Sequence, residues 1–282
     1  MSLPAANLLR RAGFHVTLHC AAYARDIALW GLENGLYDAL WAVGEPPPEH
    51  LDRETWGLAL YRSKPTLEAF RSLRLKRCFG PYSKPASYLD FTKGLRQRRS
   101  QVVKSEMAYN LDLARGLAAW AGLDAPAFVP LPVLHLPERW TSPRPSPDWV
   151  AVLSSGGSAQ NWPVERYLSW LADQRAPGSS LDFLVQGVDA EARLAALQAS
   201  GILDQPGVGL VRSFDQIRDL IAYLSGAGQV LSSSTGPLHI AYAAGLPVYG
   251  IFPDEPRVES FERWQPAGYA NPQRPIKLPL LG

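Results

Sequence analysis

Apolar positions in this chain follow two periods, and the elements they predict alternate. Between Glu106 and Ala121, Met107, Leu111, Leu113, Ala114, Leu117 and Trp120 recur at helical spacing, and Gly122 follows. That spacing predicts a helix with a stop. Nearer the N-terminus, Leu3–Ala12 predicts a short amphipathic helix ending at Gly13. Phe14–Cys20 alternates and is β-branched enough for a strand. Ala22–Leu32 predicts a helix, and Gly35–Ala42 a turn leading into a strand. Glu45–Glu49 holds three consecutive prolines and makes a rigid break or an exposed loop. Trp56–Tyr61 predicts a strand, Thr66–Leu73 a helix and Cys78–Gly80 a short strand. Tyr82–Ser100 is irregular and basic, with Lys84, Lys93, Arg96, Arg98 and Arg99.

The pattern sharpens in the second half. Strands are predicted at Trp149–Ser154, Leu181–Gln186, Val208–Val211, Gln229–Ser232 and Val248–Phe252. Helices are predicted at Pro163–Gln174, Ala190–Ser200, Phe214–Ser225 and Pro237–Ala244. Strands that alternate with helices, joined by right-handed crossovers, make a parallel α/β sheet. Such sheets bind ligands beyond the carboxyl ends of their strands. Between the halves, Asp124–Pro147 carries seven prolines, a density that excludes helix and suits a linker. The divisions are 1–125, a linker at 126–147, 148–262, and a tail at 263–282.

Composition narrows the class. Hydrophobic residues make up 46% and charged residues 19%, as in a globular chain. The net charge of +2 gives no argument for nucleic acid. Cys20 and Cys78 are far apart, without metal-ligand spacing, and suggest reduced thiols. No signal peptide is visible, and no apolar run approaches the ~20 residues of a membrane span. The expected location is cytoplasmic.

Candidate chemistry sits in two loops. In Val230–Phe252, a strand runs into Ser233, Ser234, Thr235 and Gly236, and then into a helix with Pro237 in its first turn. A helix N-terminus leaves backbone N–H groups unpaired and partly positive. The hydroxyls add donors, and Gly236 lets a ligand approach the backbone. Such a turn can hold a phosphate or diphosphate, and it can equally be an ordinary N-capped helix. The stretch Ser154-Ser-Gly-Gly-Ser-Ala-Gln-Asn-Trp-Pro163 repeats the design. Two such helix N-termini on one sheet edge would converge on one anion. Neither GxGxxG nor a P-loop motif is present.

With both loops in hand, the chain resembles the heptosyltransferase family, glycosyltransferase family 9, which builds the inner core of lipopolysaccharide. The resemblance rests on Gly156-Gly-Ser-Ala-Gln-Asn-Trp-Pro163, on Ser234-Thr-Gly-Pro-Leu-His-Ile-Ala-Tyr-Ala-Ala-Gly-Leu-Pro247, and on Arg263-Trp-Gln-Pro266. Gln186-Gly187 with Glu191 adds a strand-end glycine followed by an acid. The resemblance implies a GT-B fold: two Rossmann-like domains facing across a cleft, 1–125 on the acceptor side and 148–262 on the donor side. It implies transfer of a heptose-type sugar from an ADP-sugar to a lipopolysaccharide inner-core acceptor, without metal or other cofactor, by a monomer. Ser155, Gly156, Gly157, Ser158, Gln160, Ser234, Thr235, Gly236 and His239 would bind the donor diphosphate, and Gly187 and Glu191 the nucleotide.

The chain departs from the family in three ways. Gln160 stands where the family has Lys, and Ser234 where it often has Asp. The family also begins with a strand and a Gly-Asp loop that carries the proposed catalytic base. Here Met1-Ser-Leu-Pro falls where the first helix is under way, so an incomplete N-terminal domain is expected, with Met1 an internal methionine and no catalytic residue assigned. The tail to Gly282 shows no closing helix, as the family has. A catalytically degenerate binder of nucleotide sugars is the alternative reading. A nucleotide-sugar epimerase on the same fold is a third, which no residue specifically calls for.

Single residues carry bland readings beside these. His239 could contact phosphate or be a helix histidine satisfied by a carbonyl. Glu191 could hold a ribose hydroxyl or simply sit in a helix's first turn. Lys64 could bind an acidic acceptor, although a solvated loop lysine is the better reading. The basic run Lys93–Lys104 could give peripheral contact with anionic headgroups of the inner membrane, with a solvated face the better reading.

Overall fold

Thr17–Cys20 (β1) and Ala39–Ala42 (β2) lie parallel, Thr17 opposite Ala39 and Cys20 opposite Ala42. The helix Arg25–Glu33 (α2) makes their crossover. They belong to the first of two units into which the chain divides, Met1–Leu131 and Pro132–Gly282. The computed structural model describes residues 2–83, 85–101, 104–153, 159–253 and 260–280.

The first unit opens with Leu3–Arg11 (α1), which has proline in its first turn and Arg10 and Arg11 in its last, where cations suit the helix dipole. Arg10 Nε donates to Asp38 Oδ1 at 2.8 Å, and Val16 N–H to Asp38 Oδ2 at 2.8 Å. Burial pushes the Asp38 carboxyl up, but these donors more than offset it and hold it below the usual carboxylate range. A second parallel sheet follows, from Trp56–Leu58 (β3), Arg77–Tyr82 (β4) and Lys93–Arg96 (β5), in that order. Lys64–Ser72 (α3) starts at Ser63, whose hydroxyl accepts from Thr66 N–H at 3.3 Å. The helix Glu106–Trp120 (α5) starts at Ser105, which accepts from Ala108 N–H at 3.2 Å. Among the described residues no strand joins β1 to β3.

Two sequence expectations need correction in this unit. The stretch read as irregular contains a single helical turn, Ser87–Asp90 (α4), and β5. β5 is Lys-Gly-Leu-Arg, too short and polar to show a period. It is fixed by backbone proximity: a Cβ on Gly94 would collide with the carbonyl of Gly80 on β4. The basic run is also not a uniformly solvated face. Lys93 Nζ lies 5.7 Å from the Trp120 ring centroid. Arg99 pairs with Glu106, donates to the Leu60 carbonyl at 2.6 Å and to Gln97 Oε1 at 2.8 Å, and packs on Tyr109.

The second unit holds one continuous parallel sheet. Its strands are Trp149–Val152 (β6), Leu181–Leu184 (β7), Val208–Val211 (β8), Gln229–Ser233 (β9), Val248–Phe252 (β10) and Ile276–Pro279 (β11). Their order is β11-β10-β9-β6-β7-β8. The helices Val164–Gln174 (α6), Ala190–Ala199 (α7), Ile217–Ser225 (α8) and Gly236–Ala243 (α9) alternate with the strands, and Phe261–Trp264 (α10) is one further turn. Every residue of β6 is buried, as a central parallel strand must be. Its Trp149 and Ala151 share a core cluster with Trp162, Tyr167, Leu171 and Phe183. The tail supplies a strand that the sequence pattern did not suggest. β11 pairs with β10, Tyr249 opposite Ile276, and Leu280 N–H continues the ladder to the Phe252 carbonyl at 2.9 Å. The proline-rich stretch docks here as well: Leu134 N–H donates to the Ala243 carbonyl at 2.7 Å.

Candidate functional site

Sheet order places the site. β6 lies between β7 and β9, with Val152 level with Leu184 on one side and Ser232 on the other. Neighbouring strands are ~4.8 Å apart, so the segments after all three leave one sheet edge side by side. Among the described residues, these begin at Leu153, Val185 and Ser234. Ser155, Gly156, Gly157 and Ser158 fall outside the described residues.

The turn after β9 is the best-defined part. Thr235 occupies the N-cap position of α9 with φ −132° and ψ 177°, but its hydroxyl does not cap the helix. It lies 3.1 Å from Ser232 Oγ and 3.3 Å from the Ser233 carbonyl. This leaves the first-turn N–H groups of Gly236 and Leu238 without a helical acceptor, while Pro237 has no N–H to leave. Gly236 is exposed, and a Cβ there would meet nothing within 4 Å. The N-terminus of α9 is thus open to an incoming anion. Ser234 is half-buried at its rim. Ser233 is fully buried, and its hydroxyl lacks a partner among the described residues, so it is not a donor toward the open side as the sequence suggested.

His239 lies one turn further on and is half-buried. Burial pushes its imidazole down to about 3, so the ring is neutral at pH 7. The carbonyl partner of the bland reading is not seen: the ring makes no hydrogen bond among the described residues. A neutral ring can donate one hydrogen bond to a phosphate oxygen but brings no charge.

Gly187 turns the chain after β7 with φ +99°, in the left-handed region that favours glycine. Glu191 follows in the first turn of α7; its side chain is 84% exposed and pairs with Arg212 at 2.8 Å. Gln160 is exposed at the end of the first loop. Lys64 belongs to the other unit, where it is 87% exposed and pairs with Glu68 at 3.7 Å, as a solvated lysine does.

The sequence reading missed the residues that hold these segments. Arg193 Nε donates to Asp189 Oδ2 at 2.9 Å, and its Nη1 donates to the Trp162 carbonyl, so α7 grips the end of the first loop. Trp162 is only 1% exposed. The i,i+4 spacing of Asp189 and Arg193 was visible as a helix pair; the bond to Trp162 had no local signal. Among the described residues, no group of three His, Cys, Asp or Glu is placed to hold a metal ion, and no helix is long and apolar enough to cross a membrane.

Comparisons with known proteins bear on this geometry. No family model matches the chain. A putative glycosyltransferase of Haemophilus influenzae is 26% identical over 185 residues, which are 61% of this chain and 52% of that protein. The matching part is thus about half the length of that relative. Among solved structures, a family 9 glycosyl transferase from Veillonella parvula is similar with a TM-score of 0.72 and 14% identity, over 98% of this chain and 81% of that one. E. coli heptosyltransferase WaaC with ADP is similar at 0.69 and 16%, over 99% and 89%. E. coli ADP-heptose lipopolysaccharide heptosyltransferase II is similar at 0.66 and 14%, over 98% and 86%. Two α/β units of parallel strands and these likenesses together show that the chain has the GT-B fold of the family 9 glycosyltransferases.

Proposed function

We propose that this chain is a glycosyltransferase that moves a heptose-type sugar from an ADP-sugar to a lipopolysaccharide-core-type acceptor. The observation that carries the reading is the open N-terminus of α9 at Gly236, on the sheet edge shared by β6, β7 and β9. Support comes from structures of the same fold that carry ADP and ADP-2-deoxy-2-fluoro heptose. In the reaction, the acceptor oxygen bonds to the anomeric carbon as the bond from that carbon to the diphosphate oxygen breaks. The acceptor proton passes to a base that no described residue is assigned to be. The leaving ADP gains negative charge, which the first-turn N–H groups of α9 and the neutral His239 ring stabilise. Thr235 shapes the turn, and Gly187 and Glu191 face the nucleoside. Metal independence belongs to this proposal: the helix terminus does the work a cation would do.

Calorimetry with ADP, followed by a donor-consumption assay with ADP-heptose, tests it. Binding of ADP is expected; failure to bind any nucleoside diphosphate overturns the reading. A second reading is a nucleotide-sugar binder without turnover, favoured by exposed, uncharged Gln160 and by Ser234. Transfer of the sugar to any acceptor removes it.

A further inference from the structure

The C-terminal strand reaches the candidate donor site through two side chains of the first loop and its helix. Trp162 Nε1 donates to the Pro279 carbonyl at 2.8 Å. Arg166 Nη2 donates to the same carbonyl at 3.0 Å, and Nη1 to the Leu280 carbonyl at 2.7 Å. The Arg166 guanidinium also lies over the Trp162 ring, 4.5 Å from its centroid. Three donors therefore end on two adjacent carbonyls of the tail. Arg193, on α7, donates to the Trp162 carbonyl. Trp162, two residues before α6, is thus held at its ring, by the tail, and at its backbone, by α7.

We propose that β11 is a strap that positions the donor loop, and that Trp162 and Arg166 are the positioning residues that fasten it. The proposal deepens the function argued above. Trp162 is 1% exposed and its one indole N–H is already committed to the Pro279 carbonyl, so it has no donor left for a phosphate. Its place is to fix where Ala159, Gln160 and Asn161 stand relative to the sheet edge. A loop fixed beforehand binds more tightly, because its ordering cost is already met by the folded protein.

The full chain is tested as it exists. Trp162→Phe keeps an aromatic ring and removes the donor; Arg166→Lys keeps the charge and removes the stacked, two-carbonyl fork. Hydrogen exchange at amides 159–161 is the first readout, with β7 as the internal reference for global loosening. ADP affinity is the second. About tenfold faster exchange at 159–161 is expected in both variants, with β7 unchanged. ADP affinity is expected to fall about tenfold, while thermal midpoints stay within a few degrees. Lys277→Ala, on the same strand but 4.0 Å from Glu262, is expected to change neither readout. Unchanged exchange at 159–161 overturns the strap, as does faster exchange with ADP affinity intact. If the unsubstituted protein binds no nucleoside diphosphate, the transferase reading falls, and the exchange result alone still decides the strap.

Discussion

Arg99 and Glu106 form an ion pair at the start of α5, with side chains only 14% and 10% exposed. Arg99 also serves the Leu60 carbonyl, Gln97 and Asn110, so one guanidinium joins the end of β5, the helix α5 and the segment after β3. Removing one partner of a buried pair leaves the other charge uncompensated. Arg99→Met is expected to destabilise the first unit by about 3–5 kcal/mol. Glu106→Gln retains an acceptor and should cost about 1–3 kcal/mol. Urea unfolding followed by tryptophan fluorescence measures both; equal, small effects would mean the network is solvated.

Gly236 separates folding from binding. Its backbone is not in the left-handed region, and a Cβ meets no atom within 4 Å. Gly236→Ala should therefore leave the thermal midpoint within a few degrees of the parent. The same methyl stands where an anion would approach the backbone, and ADP affinity should fall at least about tenfold, or 1.4 kcal/mol. Calorimetry that finds unchanged affinity would move the phosphate elsewhere.

His239 gives an acid-side prediction. Its folded value is lowered from 6.5 to about 3 by burial. Below about pH 6.5 the unfolded chain takes up a proton that the folded chain refuses, so stability is lost as pH falls from there toward 3. The loss is at most about 1.4 kcal/mol per pH unit, or about 2 kcal/mol at pH 5. His239→Asn should flatten this part of the stability–pH curve. Between pH 8 and 6 the ring stays neutral, so it adds no pH dependence to ADP binding.

Tyr223, buried in α8, donates to Asp182 Oδ2 on β7 at 2.6 Å. Burial, with Asp182 adding to it, keeps the phenol protonated far into the alkaline range. Tyr223→Phe should cost about 1.5–3 kcal/mol, the range for a hydrogen bond to a charged acceptor. Gly209→Ala should also destabilise, because its Cβ would run into the Asp182 carboxylate. Chemical unfolding of each variant checks the pair.

Much of the second unit was legible because its central strands are buried on both faces and read as apolar runs, as in Trp149–Val152. α5 was legible from its period. β5 and β11 were not: each is four residues with exposed positions, and each is held by a neighbour's backbone. Thr235, Gly236 and His239 could be named because strand, turn and helix are contiguous there. The bond from Trp162 to Pro279 spans 117 positions, and no local pattern encodes a partner that distant. Arg99 read as a solvent-facing cation for the same reason. Gln97 is near it in the chain, but Leu60, after β3, and Glu106 and Asn110 of α5 are not.

The place of β6 in its sheet has a consequence during synthesis. It is the earliest strand of the second unit to leave the ribosome, yet it finishes flanked by β7 and β9. Its second edge stays bare until Gln229–Ser233 has been translated, and non-local pairing of this kind is slow. A nascent chain stalled before that point displays an apolar ribbon to every other polypeptide nearby, and chaperones would find their target there.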